Sequence, residues 1–407
     1  MKFLFVSNYI NHHQIPFCNA MYELLGENFG FLQTQPMEEE RVQMGWQQEV
    51  VLPYLYKYYE KPELGKKLIA DSAVVMFGGV EDENYIADRL HEGKPVIRCS
   101  ERLYKEGQWK AISPRGLRKK YLDHTRYRHK EVYLLCAGAY VASDFHIVRA
   151  YPSKMLKWGY FPETRHYDVD NLFQNKEPAS ILWAARFLDW KHPELPVEVA
   201  KWLRDKGYDF HMDIIGGGEL QEEVEKRIAD YGLQECVNLR GFLPPGEVRK
   251  AMERADIYLA TSDRKEGWGA VINEAMNSGC AVVADHMMGA VPFLLKNDLN
   301  GCIYRDGDVQ MLCRQVEELV KNREHCWELG KAAYHTIVDE WNAEIVADRL
   351  IAFCIRKGFL DMDDLCRPAD WKESRFDGKE DFPDEGPCSK ASVVSERKMF
   401  SLLNGKR

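Results

Sequence analysis

The chain has 407 residues, 45% hydrophobic and 29% charged, with a formal net charge of −9. That length exceeds what a single core fills, so two domains are expected, and the acidic balance argues against nucleic acid as a partner. No apolar run is long enough to cross a bilayer and no charged-then-apolar leader stands at Met1, so a cytoplasmic protein is expected, at most at the inner face of the cytoplasmic membrane.

The eleven cysteines are odd in number and scattered, with no C-x-x-C pair. They read as reduced, mostly buried thiols, forming neither a zinc site nor a disulfide framework.

In chain order, residues 3–6 form a short apolar strand, followed by a polar turn over 7–14 and a helix opened by Pro16 and ended near Gly26. Further strands are expected at 74–77, 96–99 and 132–137, separated by helices such as 85–91. Strands alternating with helices imply a mostly parallel sheet.

Between them lies a segment that runs against the net charge. Residues 102–130 hold ten Lys/Arg against Glu106 and Asp123, with Leu117, Tyr121, Leu122 and Tyr127 interleaved. Such a stretch suits an anionic membrane surface, or is a solvated basic helix.

Residues 160–177 carry Pro162 and no hydrophobic period, and read as a hinge. The first domain then spans 1–165 and the second 177–340. Strands in the second are expected at 181–185, 212–215, 237–239, 257–260 and 281–284. Residues 341–357 read as one more helix, and 361–407 as a strap or a partly disordered tail. The fold class is thus α/β, two Rossmann-like domains facing across a cleft, with 341–407 returning as helix and tail to the first.

The chemistry concentrates in the second domain. After the strand at 257–260 comes a loop with Gly267 and Gly269, then a helix from Ala270. Glycines let a backbone approach a ligand closely, and a helix N-terminus presents amides and a positive dipole end to an anion. At the carboxyl end of a parallel strand, such a corner is where these folds bind ligands. Glu266 and Glu274 flank it and suit hydroxyls on either side of phosphates; alone, they would read as surface glutamates. Upstream, Arg186 and Lys191 follow the first strand of this domain and can neutralise a diphosphate without a metal. Gly216, Gly217 and Gly218 make a glycine-rich strand exit, and Gly241, Phe242 and Leu243 either hold a nucleotide base or simply turn the chain.

The run from Glu266 through Gly279, E-G-W-G-A-V-I-N-E-A-M-N-S-G, resembles the signature of the family 4, or group 1, retaining glycosyltransferases of GT-B fold that build bacterial surface polysaccharides. The similarity extends over about 186–306. It implies that Arg186 and Lys191 hold the donor diphosphate, Glu266 the transferred sugar, Glu274 the ribose, and the Gly269 and Ala270 amides the phosphates, with Gly267 and Trp268 in the same donor-binding loop. It implies a UDP- or GDP-sugar donor, a saccharide or lipid-linked acceptor in cell-envelope glycan synthesis, and neither cofactor nor metal.

The first half departs from the family. Where relatives have a glycine pair after the first strand, this chain has Asn8 through Gln14, so Asn11, His12 and His13 are the acceptor-side candidates. Where many relatives place a histidine after the strand at 96–99, Ser100 and Glu101 stand here, making Glu101 the polar catalytic candidate. Three other readings remain open: a metal-dependent transferase using the D-x-D at 168–170, an epimerase or phosphorylase of the same architecture, and a non-catalytic nucleotide-binding scaffold.

Overall fold

The computed structural model describes residues 1–39, 51–366 and 385–405. The chain divides into two compact units, one of Met1–Glu163 with Trp341–Val394, the other of Thr164–Glu340 with Ser395–Arg407.

In the first unit the strands are β1 (Phe3–Ser7), β2 (Phe29–Gln33), β3 (Leu55–Lys57), β4 (Val74–Gly78), β5 (Val96–Ser100), β6 (Val132–Ala137) and β7 (Met155–Trp158). They form one sheet in the order 3-2-1-4-5-6-7, and each adjacent pair runs parallel. Phe3, Leu4, Val6, Val75 and Leu134 are buried; a parallel sheet covered on both faces demands such continuous apolar strands.

The first connection, helix Ile15–Leu25, has Pro16 in its first turn and stops at Gly26, whose φ is 53°. Helix Ala343–Arg356 packs beside it, and Phe353 meets Tyr133 edge-on at 4.9 Å. The expected return to the first domain is observed for the C-terminal helix and the tail up to Val394, whereas the tail from Ser395 belongs to the second unit, where Phe400 meets His286 edge-on at 5.2 Å. Residues 388–391 then run along β7: the Lys157 amide donates to Ser389 O (2.7 Å), Cys388 N–H to Lys157 O (2.8 Å) and Ala391 N–H to Met155 O (2.9 Å). That part of the tail is a strap. Residues 367–384 and 406–407, which the same expectation covered, lie outside the described residues.

The second unit carries β8 (Ser180–Ala184), β9 (His211–Ile215), β10 (Val237–Gly241), β11 (Ile257–Ala260), β12 (Ala281–Asp285) and β13 (Cys302–Tyr304), in the order 10-9-8-11-12-13. These pairs are also parallel. The order in which strands are added changes sense between β8 and β11, and such a switch point is the usual place for a ligand in a parallel sheet.

Strands β2, β3, β7 and β13 do not show in the residue pattern; three of them are only three or four residues long, too short to display a period. The segment read as a hinge contains helix Val169–Gln174, because Asp168 caps it by accepting from the Asn171 amide at 3.0 Å and Leu172 and Phe173 are buried. The first carboxylate of the D-x-D therefore has a helix-capping role. All eleven cysteines are unpaired, and eight of them are buried. Among the described residues no helix is long and apolar enough to cross a membrane.

Candidate functional site

The donor candidates gather where β8, β9 and β11 end. Phe187 N–H donates to Gly217 O at 2.9 Å, locking the exit of β8 to that of β9. Gly218 has φ +150°, and a methyl group there would fall 2.8 Å from Phe187 O, so this crossing requires glycine. Gly217 lies beneath the Phe242 ring, whose nearest carbon is 3.0 Å from where its Cβ would be. Phe242 is otherwise 67% exposed, a flat apolar face left open beside the glycines, and Leu243 is half-buried next to it.

Lys191 ends the short 3-10 turn Asp189–Lys191. Thr261 Oγ accepts from Trp183 Nε1–H (2.7 Å) and donates to Lys191 O (2.7 Å), while the Asp263 amide donates to Trp190 O (3.0 Å). The loop after β11 thus pins the loop after β8. The lysine ammonium lies over the Trp190 ring at 4.2 Å and forms an ion pair with Glu266, both side chains about 15% exposed. Two residues expected to act on one substrate are therefore in contact.

Beyond Glu266, Gly269 occupies φ +96° and caps helix Ala270–Asn277. A methyl group there would fall 2.7 Å from the Met288 terminal carbon. Gly267 is buried within the same loop and Ala270 and Glu274 are half-buried along the helix. Trp268 is different. It is fully buried and its indole N–H donates to Asn273 Oδ1 at 2.8 Å, so it supports the loop from the core and does not face a ligand. Arg186 lies two residues past β8.

Sequence reasoning missed His192. It follows Lys191 in the left-handed region at φ 53°, hydrogen-bonds Glu194 at 2.9 Å and lies 3.9 Å from Asp263. The Glu194 hydrogen bond, outweighing burial, holds its imidazole above the usual histidine range. Its mark in the sequence is only that it follows the candidate Lys191; the positive φ is visible in the structure alone.

In the first unit a cavity of about 910 Å³ opens at the carboxyl ends of β1, β4 and β5. Asn11, His13 and Glu101 line it; His12 lies against His13, ring centroids 3.9 Å apart and tilted by 47°, and does not. Asn11 Oδ1 accepts from the His13 amide at 3.0 Å, shaping the loop. Burial, then the neighbouring His12, pushes His13 down to about 3, so it is a neutral ring at ordinary pH. Glu101 accepts from Tyr160 Oη–H at 2.6 Å and pairs with Lys105. Also in the lining are Gly78 and Gly79, Gln14 and Arg98, which the residue pattern did not single out, and Lys119 and Lys120, which it placed only in the basic segment. A glycine pair is present after all, but after β4, where Gly79 takes φ +72°.

The basic segment is anchored at both ends. Arg102 and Asp144 form a fully buried ion pair at 3.2 Å, and Asp144 also accepts from the Tyr104 amide (3.2 Å) and Gln108 (2.8 Å). Downstream, His124 and Tyr127 are buried. Between these anchors, helix Pro114–Asp123 has no buried residue. Leu117, Tyr121 and Leu122 are exposed there, joined by Trp109 at 67% and Ile112 at 79%; Tyr127, also expected to be interleaved on this face, is in the core.

Among the described residues no cluster of three His, Cys, Asp or Glu is arranged to hold a metal ion. Comparison with known proteins places this geometry. Residues 167–336 match the family described as glycosyl transferases group 1. The amylovoran biosynthesis glycosyltransferase AmsK of Erwinia amylovora is 30% identical over 179 residues, 43% of this chain and 44% of that one. The putative colanic acid biosynthesis glycosyltransferase WcaL of Escherichia coli K12 is 28% identical over 144 residues, 34% of this chain and 35% of that one. The chain thus spans less than half the length of these curated relatives. A crystal structure of HepE from Anabaena in complex with UDP covers 88% of this chain and 100% of its own with a TM-score of 0.62 at 15% identity. A crystal structure of a mutant TarM from Staphylococcus aureus, in complex with fondaparinux, alpha-GlcNAc-glycerol and UDP, has a TM-score of 0.51 at 19% identity and covers 70% of this chain and 55% of its own. These likenesses fix the architecture as GT-B. Residues 167–336 are accordingly a group 1 glycosyl transferase domain, the family that the stretch from Glu266 to Gly279 resembles.

Proposed function

We propose that this protein is a retaining, metal-independent glycosyltransferase that moves a sugar from a UDP- or GDP-sugar to a saccharide or lipid-linked acceptor in cell-envelope glycan synthesis. The observation that carries the reading is the Lys191–Glu266 ion pair beside the Gly269 helix start. It brings a cation, a sugar-binding carboxylate and a helix N-terminus to one corner.

In this reading the bond from the anomeric carbon to the phosphate oxygen breaks through an oxocarbenium-like state, and the acceptor hydroxyl oxygen bonds to that carbon. The hydroxyl proton passes to the departing phosphate, so no protein base is required. Negative charge grows on the diphosphate, where Arg186, Lys191 and the amides of Gly269 and Ala270 lie preorganised to stabilise it. Glu266 then leaves Lys191 to the phosphate and takes sugar hydroxyls, Glu274 takes the ribose, and the open Phe242 face with Leu243 and Gly217 takes the base. On the acceptor side, Asn11, His13 and Glu101 contact the incoming sugar, with His12 behind them.

The exposed face at 109–122 supports a peripheral contact with anionic membrane, since apolar side chains insert while the surrounding Lys and Arg meet headgroups. Acceptors carried on lipid fit that placement. AmsK and WcaL, named for amylovoran and colanic acid biosynthesis, support the assignment to surface glycans.

Lys191→Ala tests the reading. Turnover of UDP- or GDP-sugar should fall by about 100-fold or more, the scale of removing one preorganised donor, with an unchanged melting temperature. Undiminished turnover in a variant that folds like the parent overturns the diphosphate role.

A further inference from the structure

Two residues that line the first-unit cavity each carry a buried side-chain atom with no hydrogen-bond partner. Arg98 is 4% exposed. Its two terminal nitrogens bond Glu83 at 2.9 and 2.6 Å and Asp123 O at 2.9 Å, yet its Nε–H is buried without a hydrogen bond. Gln14 donates through Nε2 to Ser7 Oγ at 3.3 Å, while its Oε1 is buried without one. Such orphans are rare in folded proteins and mark where a missing partner belongs.

The charges repeat the pattern. Lining carboxylates are matched to cations: Glu83 to Arg98, Glu101 to Lys105, Asp123 to Lys119. Glu81 remains at the exposed rim, where water screens it. Lys120 is half-buried in the lining, and among the described residues its ammonium makes neither an ion pair nor a hydrogen bond. Burial, with Lys119 and Arg98 nearby, pulls its ammonium below the usual lysine range against the opposing influence of Asp123 and Glu83, which is the direction expected of a cation short of counter-charge.

We propose that Lys120, with Arg98 Nε–H, forms an anion subsite in this cavity that takes a phosphate group of the acceptor, while Gln14 Oε1 accepts from a hydroxyl of the sugar attached to it. The proposal rests on this cavity being the acceptor side. Lys120 is carried on helix Pro114–Asp123, whose other residues include the exposed Leu117, Tyr121 and Leu122. One helix therefore serves the cavity and the apolar outer surface, as a phosphate at the base of a lipid-borne saccharide requires.

Inorganic pyrophosphate is the probe, titrated calorimetrically into the full chain carrying Lys191→Ala, so that binding in the second unit is weakened. Adding Lys120→Gln should weaken binding by about tenfold or more, the scale of one charge-assisted hydrogen bond, and Lys120→Arg should restore it. Equal affinity with and without Lys120→Gln, in proteins of matching melting temperature, overturns the subsite, as does no binding to the Lys191→Ala protein. A parallel flotation with phosphatidylcholine vesicles containing phosphatidic acid assigns the source. Loss with Lys120→Gln supports a lipid-borne phosphate, whereas loss of pyrophosphate binding alone supports a soluble one. The titration does not depend on turnover, so a chain that binds pyrophosphate through Lys120 but never consumes a UDP- or GDP-sugar would defeat the transferase reading and leave the subsite standing.

Discussion

The two candidate sites are built on opposite plans. In the second unit the groups already hold one another: Glu266 pairs with Lys191, Thr261 and Asp263 grip the lysine loop, and glycines close the corner. In the first unit the cavity leaves Lys120, Arg98 Nε–H and Gln14 Oε1 uncommitted. A self-paired corner is preorganised for a ligand of fixed shape, such as a diphosphate. A pocket with unspent donors and acceptors is tuned to a particular ligand, and its residues lie far apart in the chain, held in place by buried side chains.

That contrast can be broken most severely at Asp144. Asp144→Ala would leave the Arg102 charge buried and unpaired, at a cost of about 3–5 kcal/mol. Chemical denaturation should show the loss, with the first unit affected and the nucleotide-sugar binding proposed for the second retained below the transition. A stability change under about 1 kcal/mol would show that Arg102 has water access and that the basic segment is not anchored there.

A smaller effect sharpens the comparison from outside. Replacing Trp109, Ile112 and Tyr121 together with serine removes exposed apolar area and no internal contact of the core. Flotation with anionic vesicles should fall by about tenfold or more, at roughly 0.8 kcal/mol for each apolar carbon withdrawn from the bilayer, while thermal stability stays level. Vesicle binding that is unchanged by the triple substitution but abolished by salt would reduce the surface to pure electrostatics.

The smallest effect belongs to His192. Its folded-state pKa is raised by Glu194, so its contribution to stability is fully present below the ordinary value of 6.5 and disappears as pH climbs through the raised value. Glu194, whose carboxyl is lowered by the same hydrogen bond despite burial, sets the acid limit of that window. His192→Asn, which tolerates the left-handed backbone, should therefore lower the melting temperature most between the carboxylate range and pH 6.5, and converge with the parent at higher pH. The partly solvated pair keeps the difference under about 1 kcal/mol. A constant difference at all pH values would assign the effect to the backbone.

The same contrast explains what could be read from residues alone. The second-unit corner is local: a strand, two glycines, a helix start and flanking carboxylates within a few turns of chain, all visible as pattern. Trp268 escapes that reading because an aromatic inside a glycine loop looks exposed until its indole is found bonded to Asn273 in the core. The first-unit cavity draws on Gln14, Gly79, Arg98 and Lys120, spread over more than a hundred residues, and no spacing rule joins them. Arg98 did leave one trace, a cation directly after the apolar Val96 and Ile97 of strand β5, the mark of a buried charge with partners elsewhere. Strands β3 and β13 left none, since three residues cannot show alternation.

The strap at 388–391 bears on solubility as well as on architecture. An outer strand such as β7 exposes a row of amides and carbonyls that any extended polypeptide can join. Here the chain's own tail occupies them, through Cys388, Ser389 and Ala391, so this flank of the sheet is sealed against recruiting a neighbouring molecule.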